Sequence, residues 1–190
     1  VDMASTLQVD GAVTTSSTIN TLGISGSKTN FVGSMLISND AGTGTLNAAS
    51  DNTGFGHEVF DDLTTGDENT AVGYLALTKN TTGTNNSAVG SGALDANSTG
   101  SGNTAVGRNS LGGNTTASEN TAVGMYSLLT NSTGTLNTGV GIAALQNSTT
   151  SDSNTAVGGY SLHTNSTGDS NTAMGVSSLR ANTTGTDNIA

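Results

Sequence analysis

From residue 52 onward the larger apolar residues come in pairs five positions apart, separated by small and polar residues. The pairs are Phe55 and Phe60, Val72 and Leu77, Val89 and Leu94, Val106 and Leu111, Val123 and Leu128, Val140 and Leu145, Val157 and Leu162, and Met174 and Leu179. A glycine follows the first member each time, and an Asn stands three residues before it. Counting that Asn as position one, units begin at Asn52, Asn69, Asn86, Asn103, Asn120, Asn137, Asn154 and Asn171, and Asn188 opens a truncated ninth. Each step is 17 residues, without insertion. A fixed period of this kind is the signature of a stacked-repeat architecture.

The spacing excludes an amphipathic helix, which needs apolar residues three and four apart over ten or more positions. Thr, Asn and Gly dominate the remainder, and they favour turns. Thr-Ala-Val at positions two to four predicts a short strand with Thr and Val on one face and Ala on the other. The Gly at position five permits a bend that a Cβ would resist. A second short strand is expected to end on the Leu at position nine, and Asn-Thr/Ser-Thr-Gly turns the chain into its next lap.

The predicted fold is therefore all-β: a parallel β-solenoid, or β-roll, of 17-residue rungs about 4.8 Å apart. Equivalent residues form columns, with Val over Val, Leu over Leu and Asn over Asn, the stacked amides bonding along the axis. A slip of one residue would turn an inward Val outward, which explains the strict period. One Val and one Leu per rung is a thin core for 17 ordered residues. The Ala, Gly and Ser at positions three and eight, taken as outward, let neighbouring chains approach. The expected assembly is a fibrous homotrimer.

Residues 1–51 do not follow the period. "TLQVDGAVTT", "INTLGISGS" and "FVGSMLISND" alternate apolar and polar residues around Gly, as short strands and turns do. The expected division is an N-terminal short-strand shaft or linker, 1–51, and a solenoid, 52–190. The irregular unit 52–68 is expected to act as a cap rung. Because the chain opens on Val1 and stops three residues into a repeat, it is expected to be a segment of a longer protein.

Composition narrows the function. Of 190 residues 32% are hydrophobic and 9% charged, and the net charge is −10. Four cations in all leave no basic patch for nucleic acid or an anionic membrane. No apolar run is long enough to span a bilayer, so membrane insertion is not expected. With no Cys, disulfides and thiolate metal sites are excluded.

Several residues invite chemistry. Asp61, Asp62, Asp67 and Glu68 offer oxygens to a cation, but without calcium-loop spacing, and solvated turn acids are the expectation. His57 and His163 lie in different rungs with no repeated acid or Ser partner, so no catalytic, cofactor or metal site is assigned and no enzyme is expected. Asn80, Asn97, Asn114, Asn131, Asn147, Asn165 and Asn182 each begin an N-glycosylation pattern, read as turn residues. Asn147 comes one position early and marks a local irregularity. The paired hydroxyl residues suggest a flat water-ordering array, against which one of each adjacent pair should point inward. Tyr74, Tyr126 and Tyr160 either stack on sugars or line a contact between chains.

The tandem "NTAVG…SL…NTTG" units resemble those of bacteriophage and large-virus tail-fibre proteins, often followed by a chaperone-of-endosialidase domain. More distantly they are similar to trimeric autotransporter adhesin heads, left-handed parallel β-rolls with shorter repeats. The resemblance covers residues 52–190. It implies a structural and attachment protein, a trimeric fibre shaft or head that presents a surface for a host glycan or protein receptor. Other fibre or tail proteins are its implied partners, at a virion tail fibre or a cell surface. The alternative is a cellular adhesin or extracellular filament subunit built from the same rungs.

Overall fold

In the computed structural model the described residues are 49–190 together with the backbone of Gly23–Ser25 and Met35–Ser38. They hold no helix. Ten strands form one sheet in chain order: β1 (Gly23–Ser25), β2 (Met35–Ser38), β3 (Thr53–Phe55), β4 (Thr70–Val72), β5 (Ser87–Val89), β6 (Thr104–Val106), β7 (Thr121–Val123), β8 (Thr138–Val140), β9 (Thr155–Val157) and β10 (Thr172–Met174). Strands β3 to β10 pair in parallel and in register, Thr over Thr and Val over Val. This is the expected β-solenoid, with one strand per 17-residue rung.

The sheet continues across the boundary placed at residue 51. Strand β2 lies parallel to β3, with Met35 opposite Thr53, and β1 runs antiparallel to β2. Two of the N-terminal segments expected as strands thus extend the sheet, "FVGSMLISND" through β2 beside the unit 52–68 and "INTLGISGS" through β1 beside β2; "TLQVDGAVTT" lies outside the described residues.

Two expectations about the rung are corrected. First, the column facing inward is Ala, not Val. Ala71, Ala88, Ala105, Ala122, Ala156 and Ala173 are fully buried, while Phe55, Val89, Val106, Val123 and Met174 are exposed. The small residues at position eight, Ala76, Ala93, Ser110, Ser127, Ala144 and Ser161, are buried too and offer no outward approach surface. Alternation along the strand put Thr and Val together as expected; the error was in which face is inside. Asn at position one has the same parity as Ala, and Asn52, Asn69, Asn86, Asn120, Asn137, Asn154 and Asn171 are enclosed. A coil closed by 17 residues is narrow, and two Asn with one Leu fill it.

Second, no strand ends on the Leu. Positions seven, nine and seventeen take left-handed backbone in every rung, as at Tyr126 (φ 61), Leu128 (φ 51) and Leu136 (φ 59). Among the described residues every non-glycine residue with positive φ occupies one of these three positions. That conformation costs a side-chain-bearing residue roughly 1–2 kcal/mol, and it turns the chain sharply enough to close the lap. Hydrogen bonds between rungs persist regardless, as from Leu77 N–H to the Ala93 carbonyl (3.1 Å).

The Asn columns act as internal struts. Oδ1 of Asn86 accepts from the backbone N–H (3.0 Å) and the Nδ2 (3.1 Å) of Asn103 in the next rung. Its own Nδ2 donates to Asn69 Oδ1 (3.1 Å) and to the Gly100 carbonyl (2.9 Å). Every polar valence of this buried side chain is filled, as burial requires. A second amide column at position twelve links Asn97 to Asn80 (3.0 Å) and Asn114 to Asn97 (2.8 Å). Gly at position five is required twice over. At Gly124 φ is +128, and an added Cβ would stand 2.6 Å from the Gly141 carbonyl oxygen of the next rung.

Candidate functional site

Since the inside of the rod is filled, its chemistry lies on the outer columns. Two outer surfaces differ in character. On the sheet face, positions two and four alternate Thr with Val, a flat strip whose exposed apolar members run from Phe55 to Met174. Beyond the glycine bend, positions six, seven and ten carry the variable residues, among them all three tyrosines, both histidines and both arginines.

On this second surface the side chains meet across rungs. The Arg108 guanidinium carbon lies 5.4 Å from the ring centroid of Tyr126, and that of Arg180 lies 5.5 Å from Tyr160. A cation over an aromatic face at this distance is attracted by the ring quadrupole. His163 is 5.5 Å from Tyr160 ring to ring, and its Nε2 is 3.2 Å from Gln146 Oε1 directly below. Its Nδ1 is enclosed without a partner. Desolvation, with a smaller contribution from the Arg180 charge, lowers the His163 pKa below its ordinary 6.5. At the other end His57 packs 5.5 Å from Tyr74 and its Nδ1 lies 3.4 Å from Glu58. On the same surface Asp95 is pushed up by desolvation, partly countered by Lys79.

The four acids 61, 62, 67 and 68 do not converge. Asp61 and Asp62 occupy positions ten and eleven, whereas Asp67 Oδ1 accepts from Ser50 N–H (2.7 Å) and Oγ (3.0 Å). No cluster of three or more His, Asp or Glu suited to a metal occurs among the described residues. At six of the seven sites named above for the glycosylation pattern the Asn stands at position twelve and is structural, Asn182 donating its Nδ2 to the Gly185 carbonyl (3.0 Å). Asn80, Asn97, Asn114, Asn131 and Asn165 are buried, and each donates its Nδ2 to the carbonyl three residues on.

The irregularity at Asn147 is localised. Ser148, not Asn147, stands at position twelve of that rung, and its Oγ lies 2.6 Å from Oγ of Ser151. The amide column is interrupted, and Asn131 Oδ1 is left buried without a partner. The hydroxyl pairs do not form a flat double array. Position thirteen bonds the next rung's carbonyl, as from Thr81 Oγ1 to Ser98 O (2.9 Å), while position fourteen is Thr and exposed in every complete rung.

Sequence reasoning singled out the tyrosines and histidines one by one; the arginine–tyrosine pairing was missed. Part of its signal was available in the period, because each pair falls one rung apart, Arg108 and Tyr126 at positions six and seven and Tyr160 and Arg180 at positions seven and ten. No family model, no curated protein and no solved structure matches this chain.

Proposed function

We propose that the chain is a non-catalytic structural and attachment protein, the shaft or head of a viral tail fibre that assembles as a homotrimer. The observation that carries this reading is the unbroken in-register stack from β3 to β10, whose interior is spent on column contacts. Each rung is bonded to its neighbours through backbone, amide and Leu columns together, so bending requires several of them to yield at once. Stiffness suits a part that projects a surface away from a particle. The tandem-unit resemblance to tail fibres points the same way.

The contact between copies falls on the Thr/Val strip of the sheet face. Small monomers seldom leave so long an apolar stripe to solvent, and its regular rise fits a second copy with the same rise. Measuring the molar mass of the full chain in solution tests the assembly. The expected value is three times the 18.6 kDa of one chain, and a folded monomer overturns it. Attachment is tested by adsorption of the labelled chain to intact cells, with failure across a broad panel counting against it.

A further inference from the structure

The geometry points to a binding strip for an anionic linear polysaccharide along the second surface, centred on Arg108, Tyr126, Tyr160 and Arg180. This assignment deepens the attachment reading and rests on it.

The first ground is charge. Four basic residues against 14 acidic ones make no continuous basic patch, so the ground is local: no acidic side chain among the described residues forms an ion pair with Arg108 or Arg180. Both arginines are exposed, and each guanidinium instead lies over a tyrosine ring. A guanidinium is a planar fork of donors matched to carboxylate or sulfate. Held over a tyrosine and with no acid partner, it is presented to an anion from outside.

Spacing is the second ground. Tyr126 and Tyr160 share position seven and stand two rungs apart, about 10 Å along the axis. Ala143 occupies the intervening place and leaves the space between them low. Tyr160 is 39% exposed. An aromatic ring with a polar tip offers an apolar platform and a hydrogen bond together, which suits a sugar ring with its C–H face and hydroxyl rim. Two such platforms in line with the axis, each with its own arginine, fit a ligand that repeats along its length.

Backbone chemistry separates a sugar polymer from a peptide. Peptides recognised along a sheet take main-chain hydrogen bonds from an open edge. Here the strip's backbone is already engaged: Tyr126 N–H donates to the Arg108 carbonyl (3.0 Å) and Tyr160 N–H to the Ile142 carbonyl (2.9 Å). Recognition must therefore come from side chains.

The test uses the full chain and four probes: polygalacturonate, its methyl ester, dextran sulfate and poly-glutamate. Binding is followed by calorimetry and by tyrosine fluorescence, which no tryptophan obscures. The chain should bind polygalacturonate or dextran sulfate in a salt-sensitive manner and ignore the methyl ester. Tyr160→Ala and Arg180→Gln should each weaken binding roughly tenfold, whereas Tyr74→Ala should leave it unchanged. Both substitutions have counterparts within the stack, Ala143 at position seven and Gln146 at position ten, so the fold should accept them; circular dichroism checks this. Failure to bind either anionic polysaccharide, equal binding of the ester, or unaltered binding by both variants overturns the assignment. Poly-glutamate bound as tightly replaces the sugar with an acidic peptide. Cell adsorption that survives in both variants leaves attachment standing and removes this strip from it.

Discussion

At the scale of single residues, inward and outward positions differ sharply in what they contribute. Leu128 is fully buried, and truncating it leaves a cavity between two other Leu side chains. Leu128→Ala should cost about 2–5 kcal/mol. Val123, 36% exposed in the single chain, should cost less than about 1 kcal/mol when replaced by Ala in a dissociated chain. Chemical denaturation of the two variants checks the order, and the reverse order would restore Val to the core. His163 gives a second residue-scale test, one of pH. Its lowered pKa means the neutral ring is favoured in the fold. Its contribution is thus complete above the ordinary value of 6.5 and is lost as pH falls below it, because the unfolded chain then binds more protons. His163→Gln, which continues the side-chain type of Gln146 below, should lose less thermal stability than the parent between pH 7 and 5. Parallel melting curves for both proteins would contradict the burial of that ring.

Among elements, the rung is the unit, and the rung 137–153 departs from the rule at positions twelve and fifteen together. Position fifteen is Gly in six of the eight rungs, and a Cβ there meets the next rung first. At Gly134 it would meet the Ser151 carbonyl oxygen and stand 2.6 Å from Asn131 Oδ1. The rung 103–119 accommodates that crowding, since Ala117 stands there with Asn114 still bonded in the column. The rung 137–153 carries Ser at both positions, Ser148 and Ser151, and leaves Asn131 Oδ1 unpaired. Restoring both, Ser148→Asn with Ser151→Gly, should reconnect the amide column from Asn80 to Asn182. The expected gain is about 1–3 kcal/mol, the cost of an unsatisfied buried acceptor. Ser148→Asn alone should gain less, since its amide meets the Ser151 Oγ that now bonds position twelve, whereas a Cβ alone is accommodated, as Ala117 is beside Asn114. Additive effects in a double-mutant cycle would show that the two sites do not interact.

At the scale of the whole molecule, residues 52–190 form a rod with a filled interior, an apolar sheet face and a variable face. Association through the sheet face predicts that Val123→Asp together with Val89→Asp reduces the measured mass from trimer to monomer while each chain keeps its β signature. Charges set directly in an apolar contact are uncompensated there, but they are solvated in the single chain. Retention of the trimer would move the contact to another face. The same variants should leave polysaccharide binding per chain intact, because the strip beyond the glycine bend uses other columns.

The rung length, the parallel register, the all-β class and the Asn ladder could be read from the sequence alone. They depend on a period and on which residue types recur, and eight repetitions of a 17-residue unit state both without reference to three dimensions. Which strand face turns inward was legible in principle, since the invariant Asn shares its parity with Ala, but hydrophobicity argued for Val and outweighed it. A narrow coil reverses that usual preference because its interior volume is limited and amides stacked at the rung spacing satisfy one another. Only the tertiary structure decided the left-handed backbone at Leu, where closure of the lap overrides the preference of a bulky residue. It alone also brought Arg108 to Tyr126 and Arg180 to Tyr160, since neighbours on adjacent rungs are set by the angle at which each lap closes.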